Sequence, residues 1–281
     1  MQQVIEAIEG VYQRAHDNVK ALVTEGDRIS AKKLNENQLA AHAVAYLATE
    51  LEACRQMAAW AERVGEDYEG KVARAYIGEV ARAIVGGVDL GACENIGLGE
   101  LGITEADLRD TVLRPEVVAF STDHASGQVY LELAAHARDH GFPNPGFEDE
   151  MLDEVRSQFS KFVDAEVLPQ AQEIHRYDAL IPWDIVDQRS ERGVFGLTIP
   201  EEYDGLGKRQ VAMGVHTEEL SRGYIGVGSL GTRSELAAEL ILRGGTEAQK
   251  KKWLPRLAAG EVLSTAVFTE PNIGSDLAHL G

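Results

Sequence analysis

The sequence predicts a mainly α protein built in two units, and three observations carry that expectation. Apolar residues recur three and four positions apart along most of the chain, the period of a helix with one buried face. No segment before Val262 alternates with the period of a strand. Residues 141–146, GFPNPG, break the helical pattern with two prolines, two glycines and an asparagine, so the division is placed there. A chain of 281 residues with 44% apolar content can bury a core in each unit.

In the first unit Val4, Ile8, Val11, Ala15, Val19 and Leu22 form the stripe of one helix. After a polar stretch at residues 25–37, Ala40, Val44, Leu47, Leu51, Cys54, Ala58 and Ala61 alternate steps of four and three. That is the seam of a helix packed lengthwise on another. A third stripe follows at Ala73, Ile77, Val80 and Ile84. Small residues are frequent on these helices, so residues 1–86 read as a helical hairpin or bundle with closely spaced axes. Residues 86–102, GGVDLGACENIGLGELG, are glycine-rich, but no strand precedes them and GxGxxG is not matched. They read as a connector and not as a phosphate loop. Thr104 is placed to cap a further helix, and another spans about 127–140.

The second unit opens with a helix marked by Met151, Val155, Phe159, Phe162 and Val163, which Pro169 is expected to stop. A second helix runs from about 182 to 192. Glycine and proline recur too often in GVFGLTIPEEYDGLG, residues 193–207, for either regular period, so it reads as a loop. VAMGVHTEELSR is helical again, a buried helix covers residues 227–243, and Thr246 with Gln249 opens the next one as a capping box. VLSTAVF, residues 262–268, is the first predicted strand and leads into TEPNIGSD, residues 269–276.

Composition narrows the function. Acidic residues number 46 against 27 basic, a formal charge of −19, which disfavours nucleic acid and anionic membrane surfaces as partners. No apolar run is long enough to cross a bilayer. The N-terminus carries charges throughout and no cleavage site, so it reads as a folded helix and not as a signal peptide. Two cysteines, Cys54 and Cys93, make no disulfide framework, and a reducing cytoplasm is the expected setting.

Three segments stand in a telling order: GLTIPEEYDGLG, GGTEAQKKKWLPRLAAGE and STAVFTEPNIGSD. Together they resemble the acyl-CoA dehydrogenase family over residues 147–281. The resemblance implies a helical N-terminal extension at 1–146, the family's helical N-terminal domain at 147–260, and the start of its flavin-binding β-domain at 261–281. It implies flavin-dependent oxidation of an acyl-CoA thioester to the α,β-enoyl form, with FAD as cofactor and electron-transfer flavoprotein as acceptor. A homodimer or homotetramer is expected on the same ground. In the family the third motif lines the flavin, which assigns Ala266, Val267, Phe268, Thr269, Glu270, Pro271, Asn272, Ile273, Gly274 and Ser275 to FAD, and Ser275 also to the thioester.

The residue chemistry suits that role. Thr269 and Ser275 offer hydroxyls to a flavin ring, and Gly274 lets backbone approach closely. Glu270 and Asp276 read as groups that fix the turn by hydrogen bonding. Two positions depart from the family pattern: Asp204 stands where glycine is usual, which changes a surface turn, and Ile273 stands where a small residue is usual beside the glycine, which bears on how closely the loop approaches the flavin. In the family the carboxylate that removes the α-proton comes from a C-terminal helical domain, so the base is expected beyond Gly281.

Residues 1–146 precede the point where members of the family generally begin. Members with such an extension point to a short branched dicarboxylic acyl-CoA such as (2S)-methylsuccinyl-CoA as substrate. Its free carboxylate calls for a cation in the acyl pocket. The helix at 227–243 reaches the acyl tail in relatives, and Arg233 is the only charged donor in its first half. Arg233 is therefore the candidate, the alternative being a surface arginine paired with Glu235 or Glu239. YLATELEACRQMAAWAERV and EGKVARAYIGEVARAIVGGV resemble the helical hairpin of the family's C-terminal domain, as a degenerate duplication or as unrelated alanine-rich helices. His216 and His279 lack metal-ligand spacing and read as structural. An oxidase or monooxygenase of the same flavin superfamily would share these motifs. So would a non-catalytic helical binding or scaffold protein, which flavin content would separate from an enzyme.

Overall fold

The computed structural model describes all residues except 92–93, 148, 209, 266 and 275–281. They form two units, Met1–Gly146 and Phe147–Gly281.

In the first unit α1 (Gln2–Val23) buries Val4, Ile8, Val11, Ala15 and Val19. Leu22 is exposed and Val23 takes its place, because 3.6 residues per turn carry the buried face from 19 to 23. The polar stretch that follows holds a two-residue-strand hairpin, β1 (Thr24–Glu25) against β2 (Arg28–Ile29), and then α2 (Ala31–Glu36). α3 (Gln38–Val64) buries Leu47, Leu51, Cys54 and Ala61, with Ala40, Val44 and Ala58 half-buried beside them. α4 (Asp67–Ile84) buries the whole expected stripe, Ala73, Ile77, Val80 and Ile84. These three helices share one core. Each fully buried Leu, Ile or Val in it contributes about 1.5–3 kcal/mol of transfer free energy. Burial, and next the nearby Glu50, pushes the Cys54 thiol up to about 12, so it packs as a small apolar side chain.

The glycine-rich stretch is not the plain connector expected from sequence. β3 (Val88–Gly91) pairs antiparallel with β4 (Glu94–Ile96), placing Val88 opposite Ile96 and burying both. Strands of two to four residues are too short to display alternation, so both hairpins were invisible to a period search. α5 (Glu105–Arg109) starts at the Thr104 cap: Asp107 N–H donates to Thr104 Oγ1 at 3.2 Å, and Thr104 N–H to Asp107 Oδ2 at 2.9 Å. α6 (Pro115–His124) and α7 (Gly127–His140) complete the unit. Its last residues are tied down by Trp60 Nε1 donating to Asn144 O at 3.0 Å and Asn144 N–H donating to Glu69 Oε1 at 2.7 Å.

In the second unit α8 (Glu150–Phe162) does not end at Pro169. A single π turn, Val163–Val167, carries it into α9 (Leu168–Arg176), whose first turn holds the proline where no N–H is needed. The extra residue of the π turn re-registers the buried face so that Phe159, Phe162, Val163 and Val167 all enter one core. α10 (Trp183–Glu191), α11 (Gln210–Gly223), α12 (Ile225–Gly244) and α13 (Glu247–Ala258) follow. Glu219 on α11 is a buried carboxylate held by two guanidinium groups, Arg156 Nε at 3.0 Å and Arg222 Nε at 3.0 Å. Arg222 also reaches Asp164 in the π turn at 2.9 Å. The network fastens α8, the π turn and α11 together, and its interior charge is satisfied as burial requires.

Residues 193–207 fold as two 3-10 turns, Val194–Gly196 and Glu201–Tyr203, folded back on each other. Leu206 N–H donates to Gly196 O and Lys208 N–H to Leu197 O, both at 2.8 Å. Asp204 closes the second turn at φ 62, in the left-handed region that an L side chain enters at a cost. Asp204→Gly is expected to raise stability by up to about 1 kcal/mol, read as a higher urea midpoint. An unchanged or lower midpoint would show that the aspartate side chain offsets the strain.

The strand expected at 262–268 is not formed among its described residues. Pairing makes a strand, and no described strand pairs with this segment. No helix among the described residues is long and apolar enough to cross a membrane.

Candidate functional site

The loop at 267–274 lies C-terminal to α13 (Glu247–Ala258), and most of its residues are exposed. Val267 is 78% and Phe268 44% exposed, a poor outcome for two apolar side chains left uncovered by the described residues. Glu270 and Ile273 form the turn between them: Glu270 N–H donates to Ile273 O at 2.9 Å, and Ile273 N–H to Glu270 O at 3.2 Å. The backbone of Glu270 thus closes the turn. Ile273 is half-buried within it. Among the described residues no bond is recorded for the N–H groups of Thr269 and Gly274 or for the Thr269 hydroxyl. A Cβ built on Gly274 would meet nothing within 4 Å. Donors without partners among the described residues, two exposed apolar side chains and an open glycine suit an isoalloxazine or a pyrophosphate, so these residues fit a flavin. Ala266, Ser275, Asp276 and His279 lie outside the described residues.

Ser264 connects this segment to α12. Its hydroxyl donates to the backbone O of Arg233 at 2.8 Å. The Arg233 side chain is exposed, and no ion pair is recorded for it among the described residues. Neither suggested partner holds it. Glu239 is paired with Arg243, while Glu235 has its carboxyl pKa raised by burial and next by Glu239, the opposite of what a guanidinium neighbour would do. The structure therefore brings the backbone of Arg233 close to the entry of the loop and leaves its charge outward.

His216 is buried on α11, with its ring edge against Phe159 at 4.6 Å between centroids. Desolvation first, and then the charge of Arg189, lowers its ring pKa to about 3, so it stays neutral. No cluster of metal-ligating side chains occurs among the described residues. Arg189 is the group that sequence reasoning missed. It follows Ile185 and Val186 at helical spacing on the same buried face of α10, so a charge on an apolar stripe was the signal available.

Residues 149–261 match the family model described as "Acyl-CoA dehydrogenase, N-terminal domain". The chain is 46% identical over 281 residues to (2S)-methylsuccinyl-CoA dehydrogenase of Cereibacter sphaeroides, covering 97% of this chain and 50% of the relative. It is 36% identical over 129 residues to isovaleryl-CoA dehydrogenase of Pongo abelii, covering 45% of this chain and 30% of the relative. To the very long-chain specific acyl-CoA dehydrogenase of Mus musculus it is 31% identical over 183 residues, covering 63% and 26%. The chain thus spans about half the length of the first of these relatives and about a third or less of the other two.

Proposed function

Because the chain belongs to the acyl-CoA dehydrogenase family through its N-terminal domain at 149–261, we propose that the full protein is an FAD-dependent acyl-CoA dehydrogenase. Its substrate in this reading is a short branched dicarboxylic acyl-CoA such as (2S)-methylsuccinyl-CoA. The observation that carries the reading is the 46% identity to a relative of that name across both units, so the extension is shared along with the dehydrogenase domain. Residues 1–146 are then the helical extension, 147–260 the N-terminal domain, and 261–281 the entry to the β-domain. Electron-transfer flavoprotein as acceptor, a homodimer or homotetramer and a cytoplasmic setting complete the proposal.

In this reading the loop at 266–275 is the chain's contribution to the flavin site. The Thr269 and Gly274 N–H groups and the Thr269 hydroxyl bind and orient the cofactor, and Val267 and Phe268 cover it from water. Bound FAD supplies the acceptor for the β-hydride. Ser275 lies beside the thioester, and the α-proton goes to a carboxylate outside these residues. Arg233 meets the free carboxylate of the acyl tail.

Full-length protein is expected to purify with bound flavin, and anaerobic (2S)-methylsuccinyl-CoA should bleach its visible band. Flavin retained without bleaching would overturn the substrate. Protein that binds no added FAD would overturn the enzyme reading in favour of a scaffold. Gly274→Val isolates the loop: the described chain offers its side chain no clash, so a folded variant with lost flavin reports a steric conflict with the cofactor. Full flavin content in that variant would remove the loop from the cofactor site.

A further inference from the structure

Arg189 is wholly enclosed in the second unit, 0% exposed, and none of its three guanidinium nitrogens has a hydrogen-bond partner among the described residues. No acidic side chain pairs with it among the described residues. Glu219, the buried carboxylate of this unit, is already bound by Arg156 and Arg222. The contact recorded for the guanidinium is the Phe195 ring, 5.1 Å from centroid to Cζ. Burial lowers its pKa only to about 10, so the group remains a cation at neutral pH. A buried, unpaired cation with five unused N–H donors is among the most costly arrangements a protein interior can hold.

Two further polar groups buried in this unit lack partners among the described residues. His216 is 0% exposed, and neither ring nitrogen has a partner among the described residues. Being neutral, it offers one N–H donor and no compensating charge. Ser234 is 0% exposed, and its hydroxyl is also unpartnered. Arg189 and His216 converge on α12 at Gly231. A Cβ built there would lie 3.3 Å from Arg189 Nη2 and 3.3 Å from His216 Cε1, while Ser234 follows one turn later on the same buried face. Water could satisfy the donors but not the charge. A negative group must, and full enclosure with no acidic side chain at hand among the described residues excludes a long ligand and favours a small ion.

We propose that Arg189, His216 and Ser234 hold a small monovalent anion of chloride size inside the second unit, as part of its folded state. The guanidinium supplies the charge, and the imidazole N–H and the serine hydroxyl complete the donor shell. Gly231 keeps the junction open where any side chain would press on both Arg189 and His216.

The test is thermal unfolding of the full-length protein at fixed ionic strength, with sodium gluconate replaced stepwise by sodium chloride. The midpoint is expected to rise by several degrees and to saturate, as linkage to one bound ion requires. Arg189→Met should abolish the rise. If that variant does not fold, Ser234→Ala keeps the charge and removes one donor, and the chloride concentration at half-effect should increase about tenfold. Crystals grown in bromide should show an anomalous peak between Arg189 and His216. A midpoint equal in gluconate and chloride means that water alone fills the site, and it overturns the proposal. So does a chloride response that persists unchanged in the folded variants, or a bromide crystal without the peak.

Discussion

Gly205→Ala is expected to be the most destabilising single-methyl change in the second unit, at about 3 kcal/mol or more. A Cβ on Gly205 would lie 2.0 Å from Ile199 O and 2.5 Å from Ile199 C, which is backbone and not the end of a flexible side chain. That carbonyl cannot retreat. It accepts Gly207 N–H at 2.8 Å, and the Ile199 side chain is 0% exposed in a core with Tyr203, Leu254 and Leu257. Gly205 N–H is itself committed to Pro200 O at 3.2 Å. Relieving the clash therefore means separating the two 3-10 turns and giving up the hydrogen bonds that fold them together, which places the change among the large core effects. Gly214→Ala is the matched control. It lies inside α11 with nothing within 4 Å of its Cβ position, so it should gain up to about 1 kcal/mol of helix propensity. Urea unfolding of the three proteins decides the matter. Equal midpoints for wild type and Gly205→Ala would mean that the turn does not require glycine.

Legibility in the sequence followed burial period. α3 and α4 were readable because each buries one stripe against a neighbour, so Leu47, Leu51, Cys54, Ile77, Val80 and Ile84 all fall where the spacing put them. The caps at Thr104 and Thr246 were readable because capping is a local exchange between residues three apart. What failed depended on partners distant in sequence. The two hairpins exist through pairing and not through their own pattern. VLSTAVF has strand composition, but composition does not supply a neighbour for its hydrogen bonds. Pro169 was misjudged because a proline stops a helix only where its N–H is needed, and the π turn starts a new first turn just before it. Arg189 escaped because a charge on a buried stripe reads as surface until the neighbouring helices close over it.

The candidate loop was legible only through its resemblance to a family. Val267, Phe268, Thr269 and Gly274 are exposed, and their chemistry, donors beside apolar groups, has meaning only with something to cover. The same holds for Arg233, whose expected effect is the largest on function.

Arg233→Met is expected to lower kcat/KM for a dicarboxylic acyl-CoA by the equivalent of about 2–5 kcal/mol in the full-length protein. A terminal carboxylate taken from water into an acyl pocket without a cation costs several kcal/mol, and a planar guanidinium fork can meet both of its oxygens at once. Arg233 is free to do this. Glu239 is engaged by Arg243, Glu235 shows no sign of a neighbouring cation, and the Arg233 backbone is held near the entry of the candidate loop by Ser264. An exposed arginine with no ion-pair partner among the described residues contributes little to folding, so the methionine variant should unfold with the wild type. Methionine preserves the length and apolar stem of the side chain, and a monocarboxylic acyl-CoA of similar size should be processed as well as before or better. Measuring kcat/KM for both substrates in both proteins separates the roles: a loss confined to the dicarboxylic substrate places the guanidinium on its carboxylate, and an equal loss on both assigns Arg233 to the fold.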